Sequence, residues 1–198
     1  MLGSATAIKN RAVAIPLGID DKYYGAKNVN DSRRRHNSQR KTIFSIDRLD
    51  YTKGLKNRVL AIESLLSTHP ELKHKFNYVM LVTPSRTTVS DYIMMKRELE
   101  MNIGRVNGKF GDLEWTPIVY MYRKVTDIVL KHHYRFSEIA FITPLIDGLN
   151  LVAKEFAAAS DDGILILSKF AGASTDLRSA IIVNPYDVKE MAESLLSP

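Results

Sequence analysis

Cysteine is absent from this sequence of 198 residues, and so are long apolar runs. Without cysteine the chain has no disulfide, no thiolate metal ligand and no cysteine nucleophile. No stretch reaches the roughly 18 consecutive apolar residues that a membrane span needs, and residues 1–20 lack the long apolar core of a secretory signal. We therefore expect a cytoplasmic protein without a membrane partner.

Common phosphate-binding fingerprints and metal-ligand spacings are missing as well. Neither GxGxxG nor GxxxxGK[ST] occurs, which excludes the usual dinucleotide fingerprint and the P-loop. The five histidines, at positions 36, 69, 74, 132 and 133, include no HExxH spacing. We expect no metal site, and we expect the adjacent His132 and His133 to lie on a helix surface.

Positive charge exceeds negative charge by six at pH 7, but the excess is mostly local. Five basic residues fall between Arg33 and Lys41, in the polar segment NVNDSRRRHNSQRK at residues 28–41. A solvated linker or loop is the simpler interpretation of this segment, and attraction of anionic ligands is the alternative. We expect no nucleic-acid partner.

Apolar patterns after this segment alternate between strand and helix, and 45% of the residues are hydrophobic, which suffices for the core of one domain. The segment AVAIPLGID, at residues 12–20, predicts a first short strand. The predicted strands that follow are TIFSID, FNYVMLVTP, IVYMYR, EIAFITPL, GILILS and AIIVNP. The predicted helices are GLKNRVLAIESLLSTHP, TVSDYIMMKRELEMNIGRV, VTDIVLKHHYRFS, NLVAKEFAAAS and DVKEMAESLL, and NGKFGDLEWTP is predicted to be a glycine-rich loop.

This alternation predicts an α/β fold, a Rossmann-like parallel sheet between two layers of helices, over residues 42–198. In such folds ligands bind at the carboxyl ends of the strands, where helix N-termini present free N–H groups to phosphate. The loop DRLDYTKG follows the first strand and places Arg48 and Lys53 where both can reach one diphosphate. The alternative is a surface pair that is neutralised by Asp47 and Asp50.

A second candidate loop lies in ITPLIDGLNLVAKEF, at residues 142–156. Asn150 is a suitable N-cap, Gly148 allows a close turn, and the amides of Leu151 and Val152 are placed to receive phosphate oxygens. Asp147, before the cap, is a suitable acceptor for hydroxyl groups. Together these features fit an anion cradle, and ordinary helix capping by Asp147 is the alternative.

Two further charged residues extend this hypothesis. Glu155, in the second turn of the same helix, is placed to reach the far end of a ligand that has a hydroxylated ring on each side of its phosphates, as a nucleotide sugar has. Its alternative is an ion pair on a solvated face. Arg86 follows the second strand, close to a predicted helix start, which is a weaker indication of a phosphate site.

Several ordered motifs, DRLDYTKGL, TPSRTTVSDY, GRVNGKFGDLEWTPIVYMYR, TPLIDGLNLVAKEF, LSKFAGAS and AIIVNPYD, closely resemble those of the trehalose-6-phosphate synthases. These enzymes are retaining glycosyltransferases of family 20 with the two-domain GT-B fold. The resemblance implies transfer of glucose from UDP-glucose to glucose 6-phosphate, which gives trehalose 6-phosphate, with no metal and no other cofactor. It also implies a front-face mechanism that uses no protein nucleophile.

The resemblance assigns roles to individual residues. Arg48, Lys53 and Asp147 resemble the catalytic group: the two cations bind the diphosphate, and the carboxylate holds the donor glucose. The nucleotide-sugar-binding positions also include Gly148, Leu149, Asn150, Leu151 and Val152, whose backbone resembles the cradle, with Glu155 at the ribose and the main chain of Val125 at the base. Arg86 resembles an arginine that reaches toward the phosphate of the acceptor.

The chain also departs from the family pattern. Ile146 stands where the family commonly has arginine, and the N-terminal acceptor domain of the family is absent, with residues 1–27 resembling the interdomain connection. A separate N-terminal half or a homo-oligomer is therefore an expected partner, beside the nucleotide sugar and the sugar phosphate. Two alternatives stay open: a nucleotide-sugar-binding module without activity of its own, and a related synthase with another acceptor such as glycerol 3-phosphate.

Overall fold

A computed structural model describes residues 17–25 and 40–196. Six parallel strands form one sheet in the order β3-β2-β1-β4-β5-β6. The strands are β1 (Lys41–Arg48), β2 (Phe76–Thr83), β3 (Ile118–Tyr122), β4 (Ile139–Ile142), β5 (Ile164–Ser168) and β6 (Ile181–Val183). The helices are α1 (Asp21–Gly25), α2 (Leu55–Thr68), α3 (Ser90–Phe110), α4 (Asp127–Phe136), α5 (Leu151–Ala159) and α6 (Val188–Ser194).

The helices cover both faces of the sheet, because each has an apolar stripe to bury. On one face α2, α3 and α6 pack around Val59, Ile62 and Leu99. On the other face α4 and α5 pack around Tyr134 and Phe156. The predicted three-layer α/β fold is confirmed, and no helix in the described part of the chain is long and apolar enough to cross a membrane.

Most predicted elements of the domain are confirmed to within a few residues, but the glycine-rich loop predicted from residue 107 is wrong in its first four residues. Helix α3 continues to Phe110. The side chain of Asn107 bonds the backbone of Ile118 in both directions, donating at 2.9 Å and accepting at 3.0 Å. Val106 and Phe110 are buried. Packing against the sheet therefore outweighs the low helix propensity of Gly104 and Gly108.

Three smaller expectations also meet the structure. Of the strand predicted at residues 12–20, residues 12–16 lie outside the described residues, and residues 17–20 are not in a strand. Of the linker predicted at residues 28–41, residues 28–39 lie outside the described part and Lys41 already begins β1. His132 lies on the helix surface as expected. His133 instead stacks on Phe44, with ring centroids 4.8 Å apart, because it faces the sheet.

The sheet order places a topological switch point between β1 and β4. From β1 the chain winds outward through β2 to β3, and it then returns to the centre and winds the other way from β4 to β6. The loops that follow β1 and β4 therefore leave the sheet in opposite directions. A crevice opens between them at the carboxyl ends of the strands, which is where ligands bind in open α/β sheets.

Candidate functional site at the sheet switch point

The loop after β1 is held in a tight turn against the loop after β4. The Asp50 carboxylate accepts hydrogen bonds from the backbone N–H and the hydroxyl of Thr52, at 3.0 and 2.7 Å. The backbone N–H of Leu145 donates to the carbonyl of Thr52 at 2.7 Å. Gly54 has a φ of 64°, and a Cβ there would lie 2.6 Å from the carbonyl oxygen of Thr143. Only glycine fits this close approach of the two loops.

The loop after β4 is organised by Asn150, which is the N-cap of α5 as predicted. Its φ is 59°, and its side-chain oxygen accepts from the backbone N–H of Ala153 at 3.0 Å. Its side-chain amide donates to Asp147 at 3.1 Å. The other oxygen of Asp147 accepts weak hydrogen bonds from the backbone N–H groups of Leu149 and Asn150, at 3.4 and 3.3 Å. The cap and the carboxylate therefore form one unit.

The close turn beneath a ligand that is expected at Gly148 stays a prediction, and a second glycine makes a close approach within the protein. A Cβ on Gly148 would meet no atom within 4 Å. The close approach is made by Gly172, whose hypothetical Cβ would collide with the carbonyl of Gly148. Gly172 also donates its backbone N–H to the carbonyl of Asp147 at 2.9 Å. A glycine is therefore needed at position 172, because the loop after β5 packs closely against this turn.

Lys53 and Asp147 meet across the switch point. The ammonium of Lys53 lies 2.5 Å from a carboxylate oxygen of Asp147, and 13% of the lysine side chain is exposed. Burial raises the pKa of Asp147, but the hydrogen bond and charge of Lys53, with the Leu149 and Asn150 donors, outweigh it and lower that pKa below its ordinary value. Asp147 is therefore ionised at neutral pH, and an ionised carboxylate can only accept hydrogen bonds, as from the hydroxyl groups of a ligand.

These groups line one cleft of about 350 Å³. Arg48 lies on its exposed rim, Lys53 and Asp147 lie in its wall, and the first turn of α5 closes one end. Its lining residues are Ile46, Asp47, Arg48, Lys53, Thr83, Asp147, Leu149, Asn150, Leu151 and Val152. Two cations and a helix N-terminus in one concave site make an anion-binding arrangement. Among the described residues no group of three or more histidine and carboxylate side chains is arranged to hold a metal.

Four predicted site residues are not among the residues that line this cleft, and Gly148, described above, is one of them. Arg86 has a φ of 45° and donates to the hydroxyl of Tyr92 at 3.1 Å. Val125 packs against the core on the face of α4 and α5. Glu155, one turn further along α5, accepts a hydrogen bond from Tyr134 at 2.8 Å. Their predicted roles at the acceptor, the base and the ribose stay predictions.

Sequence reasoning missed a buried pair beneath the cleft. A guanidinium nitrogen of Arg58 lies 2.6 Å from a carboxylate oxygen of Asp47, and the arginine is 0% exposed. The signal was present, because Arg58 interrupts the apolar stripe formed by Leu55, Val59 and Ile62 on α2. A charge within such a stripe needs a buried partner. Asp47, expected as a surface partner of Arg48 and Lys53, is instead buried, and its nearest cation is Arg58.

The fold agrees with comparisons to known proteins. The model of glycosyltransferase family 20 matches residues 19–197, so the chain belongs to this family. The bifunctional trehalose-6-phosphate synthase/phosphatase of Thermoproteus tenax is 44% identical over 203 residues, which cover 96% of this chain and 28% of that protein.

Solved structures give the same result. The E. coli trehalose-6-phosphate structure bound with UDP-2-fluoro glucose superposes with a TM-score of 0.83 and 41% identity, over 90% of this chain and 42% of that one. The α,α-trehalose-phosphate synthase (UDP-forming) of Burkholderia xenovorans in complex with glucose-6-phosphate has a TM-score of 0.86 and 38% identity, over 93% of this chain and 43% of that one. The chain thus spans less than half of each relative.

Proposed function

We propose that this chain is the donor-binding half of a retaining glycosyltransferase that transfers glucose from UDP-glucose to glucose 6-phosphate and produces trehalose 6-phosphate. The observation that carries the proposal is the meeting of Lys53 and Asp147 in a cleft that also contains Arg48 and the N-terminus of α5. Membership in glycosyltransferase family 20 supports the reaction class, and the nucleotide-sugar analogue in the E. coli relative supports the donor.

Arg48 and Lys53 bind the diphosphate of the donor in this proposal. The side chain of Lys53 is largely buried in the wall of the cleft, whereas Arg48 approaches from the exposed rim. The first-turn amides of α5, at Leu151 and Val152, add N–H donors at the positive end of the helix dipole. These groups stabilise the negative charge that grows on the leaving UDP, which is the largest electrostatic demand of the reaction.

Asp147 orients the glucose of the donor. Its oxygens are held by Lys53 and Asn150, so the carboxylate presents a fixed acceptor to the sugar hydroxyls. The acceptor hydroxyl then attacks the anomeric carbon on the face from which UDP departs. One C–O bond forms as the other breaks, and the hydroxyl proton passes to an oxygen of the departing phosphate. Asp147 takes no part as a nucleophile in this mechanism, because the acceptor hydroxyl attacks the anomeric carbon directly.

Calorimetric titration with UDP-glucose tests this proposal. We expect saturable binding of UDP-glucose and of UDP, and much weaker binding of uridine, because most of the proposed contacts are to phosphate. Titration with inorganic sulfate is the matched control for a nonspecific anion effect. Absence of any UDP-glucose binding to the folded chain would overturn the proposal.

A nucleotide-sugar-binding module without turnover of its own is the second candidate. The observation that favours it is the position of Arg86, the candidate acceptor contact, which is bonded to Tyr92 and does not line the cleft. Assays for trehalose 6-phosphate with the chain alone, and then with the N-terminal half of a relative added, separate the two candidates. Product from the chain alone would exclude the binding module.

Other predictions about the whole protein are part of the same proposal. We retain residues 42–198 as the donor-binding domain, residues 28–41 as a linker or loop, and residues 1–27 as an interdomain connection. A related synthase with an acceptor such as glycerol 3-phosphate remains the alternative for the reaction. The expected cytoplasmic location, and partnership with an N-terminal half or a second copy, stay predictions.

A further inference from the structure

Arg58 joins three segments that build the switch point. Its Nη2 atom donates to Asp47 at the end of β1, at 2.6 Å, and to the backbone carbonyl of Lys53 at 2.8 Å. Its Nε atom donates to the hydroxyl of Thr143, just after β4, at 3.2 Å. A buried guanidinium can make these contacts at once because its donors form a rigid planar fork. The side chain thus connects both walls of the cleft from below.

The contacts also divide four charges into two pairs. Asp47 has Arg58 at 2.6 Å on one oxygen and the Lys53 ammonium at 4.0 Å from the other. Lys53 lies 2.5 Å from Asp147 and is therefore closer to the carboxylate that faces the cleft. If Arg58 were removed, the nearest cation for the buried Asp47 would be Lys53, and an unpaired buried carboxylate attracts a cation strongly.

We propose that Arg58 is a positioning residue of the donor site: by satisfying Asp47, it leaves the Lys53 ammonium directed toward Asp147 and the diphosphate of the donor. The diphosphate part of this inference rests on the proposed function. The choice of the Lys53 ammonium between Asp47 and Asp147 does not depend on the proposed function, because this choice is a property of the ligand-free chain. Arg58 itself is buried and touches no substrate.

The protonation of Asp47 supplies a readout that a merely structural role would lack. Asp47 is surrounded by Arg58, Lys53, Asp147, Tyr78 and Tyr134. Burial raises the pKa of Asp47, and the charges of Arg58 and Lys53 oppose this rise. Loss of Arg58 therefore raises this pKa further. Acid should then neutralise Asp47 and release Lys53.

The test compares Arg58→Met, the double variant Asp47→Asn with Arg58→Met, and the unmodified chain. Titrations with UDP-glucose are made at about pH 7.5 and about pH 5.5, because burial and the loss of Arg58 both raise the pKa of Asp47. UDP-glucose is the probe because its diphosphate diester stays ionised at both values. We expect Arg58→Met to lower the affinity about 30-fold at the higher pH, as for the loss of one charged hydrogen bond. Most of this loss should be recovered at the lower pH.

The double variant should bind UDP-glucose within about threefold of the unmodified chain at both pH values, because no buried carboxylate remains to draw Lys53 away. If the double variant folds but binds as weakly as Arg58→Met, the inference is wrong. Should Arg58→Met alone fail to fold, the double variant is compared with the unmodified chain, and an affinity about 30-fold lower would contradict the inference. Arg105→Met is the matched control: it breaks an exposed two-point pair with Glu63 and should leave the affinity unchanged.

Crystal structures of the ligand-free variants give an outcome that is independent of the proposed function. In Arg58→Met the Lys53 ammonium should contact Asp47, and in the double variant it should return to Asp147. A Lys53 that still contacts Asp147 in Arg58→Met would overturn the inference, whatever the chain binds. Failure of the unmodified chain to bind UDP-glucose would instead count against the proposed function alone.

Discussion

Two regions at the same edge of the sheet differ in how their charges are arranged. At the switch point, the loops after β1 and β4 share a backbone hydrogen bond, and Lys53 meets Asp147 between them. One strand away, the loop after β2 places Arg86 at a φ of 45° against Tyr92, outside the cleft. Both loops carry a basic residue just after a parallel strand. Of these two regions as the structure describes them, it is the switch point, where the loops diverge from adjacent strands, that brings a cation and a carboxylate together.

The largest expected difference between the two regions comes from Lys53→Ala. We expect UDP-glucose affinity to fall about 100-fold, since a buried charged hydrogen bond is lost and Asp47 and Asp147 are left to repel the diphosphate. Arg48→Ala, on the exposed rim, should cost about tenfold. Calorimetry measures both. Lys56→Ala is the control and should change the UDP-glucose affinity little. Lys56 lies at the start of α2, is half exposed and pairs with Glu98.

The backbone contact between the two central loops is tested by Gly54→Ala. We expect a loss of about 2 kcal/mol in the free energy of unfolding, because the residue has a positive φ and the new Cβ would meet the Thr143 carbonyl. Urea unfolding measures it. Gly104→Ala is the matched control, since Gly104 lies in α3 with open space around it and should gain up to about 1 kcal/mol. Equal effects from the two changes would contradict the role of the close approach.

Acid should weaken the switch point through Asp147. The pKa of Asp147 is lower in the folded state than in the unfolded state. Its ionised form therefore stabilises the fold at pH values above the unfolded-state pKa. This stability is lost as the pH falls through the folded-state pKa. The contribution should be about 1 kcal/mol, because the pair is partly exposed. Urea unfolding between about pH 5 and about pH 2.5 should show this loss in the unmodified chain. Asp147→Asn should show a shallower pH dependence, and an identical dependence would contradict the assignment.

The smallest expected effect belongs to the outer region. Arg86→Ala should change UDP-glucose affinity less than about twofold, because Arg86 bonds Tyr92 and does not line the cleft. The same calorimetric titration measures it beside Arg48→Ala. A tenfold loss would show that the two regions act on the same ligand group and would remove the contrast between them.

Much of the fold was predictable because its signals are local. Alternating strand and helix patterns predicted the α/β class, and an asparagine before an apolar helix predicted the Asn150 cap. The family resemblance grouped Arg48, Lys53 and Asp147 in one site, and the general rule that ligands bind where parallel strands end directed attention to their loops. The length of α3 was not predictable from its glycines, since it depends on the bonds of Asn107 to Ile118 in a neighbouring strand.

The sequence by itself determined the order of strands and helices, the positions of the loops and the residue types in them, because these depend on spacing along the chain. Only the tertiary structure decided which of those loops are neighbours, that Gly172 packs closely against the carbonyl of Gly148, and that Arg58 lies beneath the cleft paired with Asp47. The physical reason is that charges act over distances in space. The crossing of the chain between β3 and β4 brings together side chains that are 94 residues apart, Lys53 and Asp147.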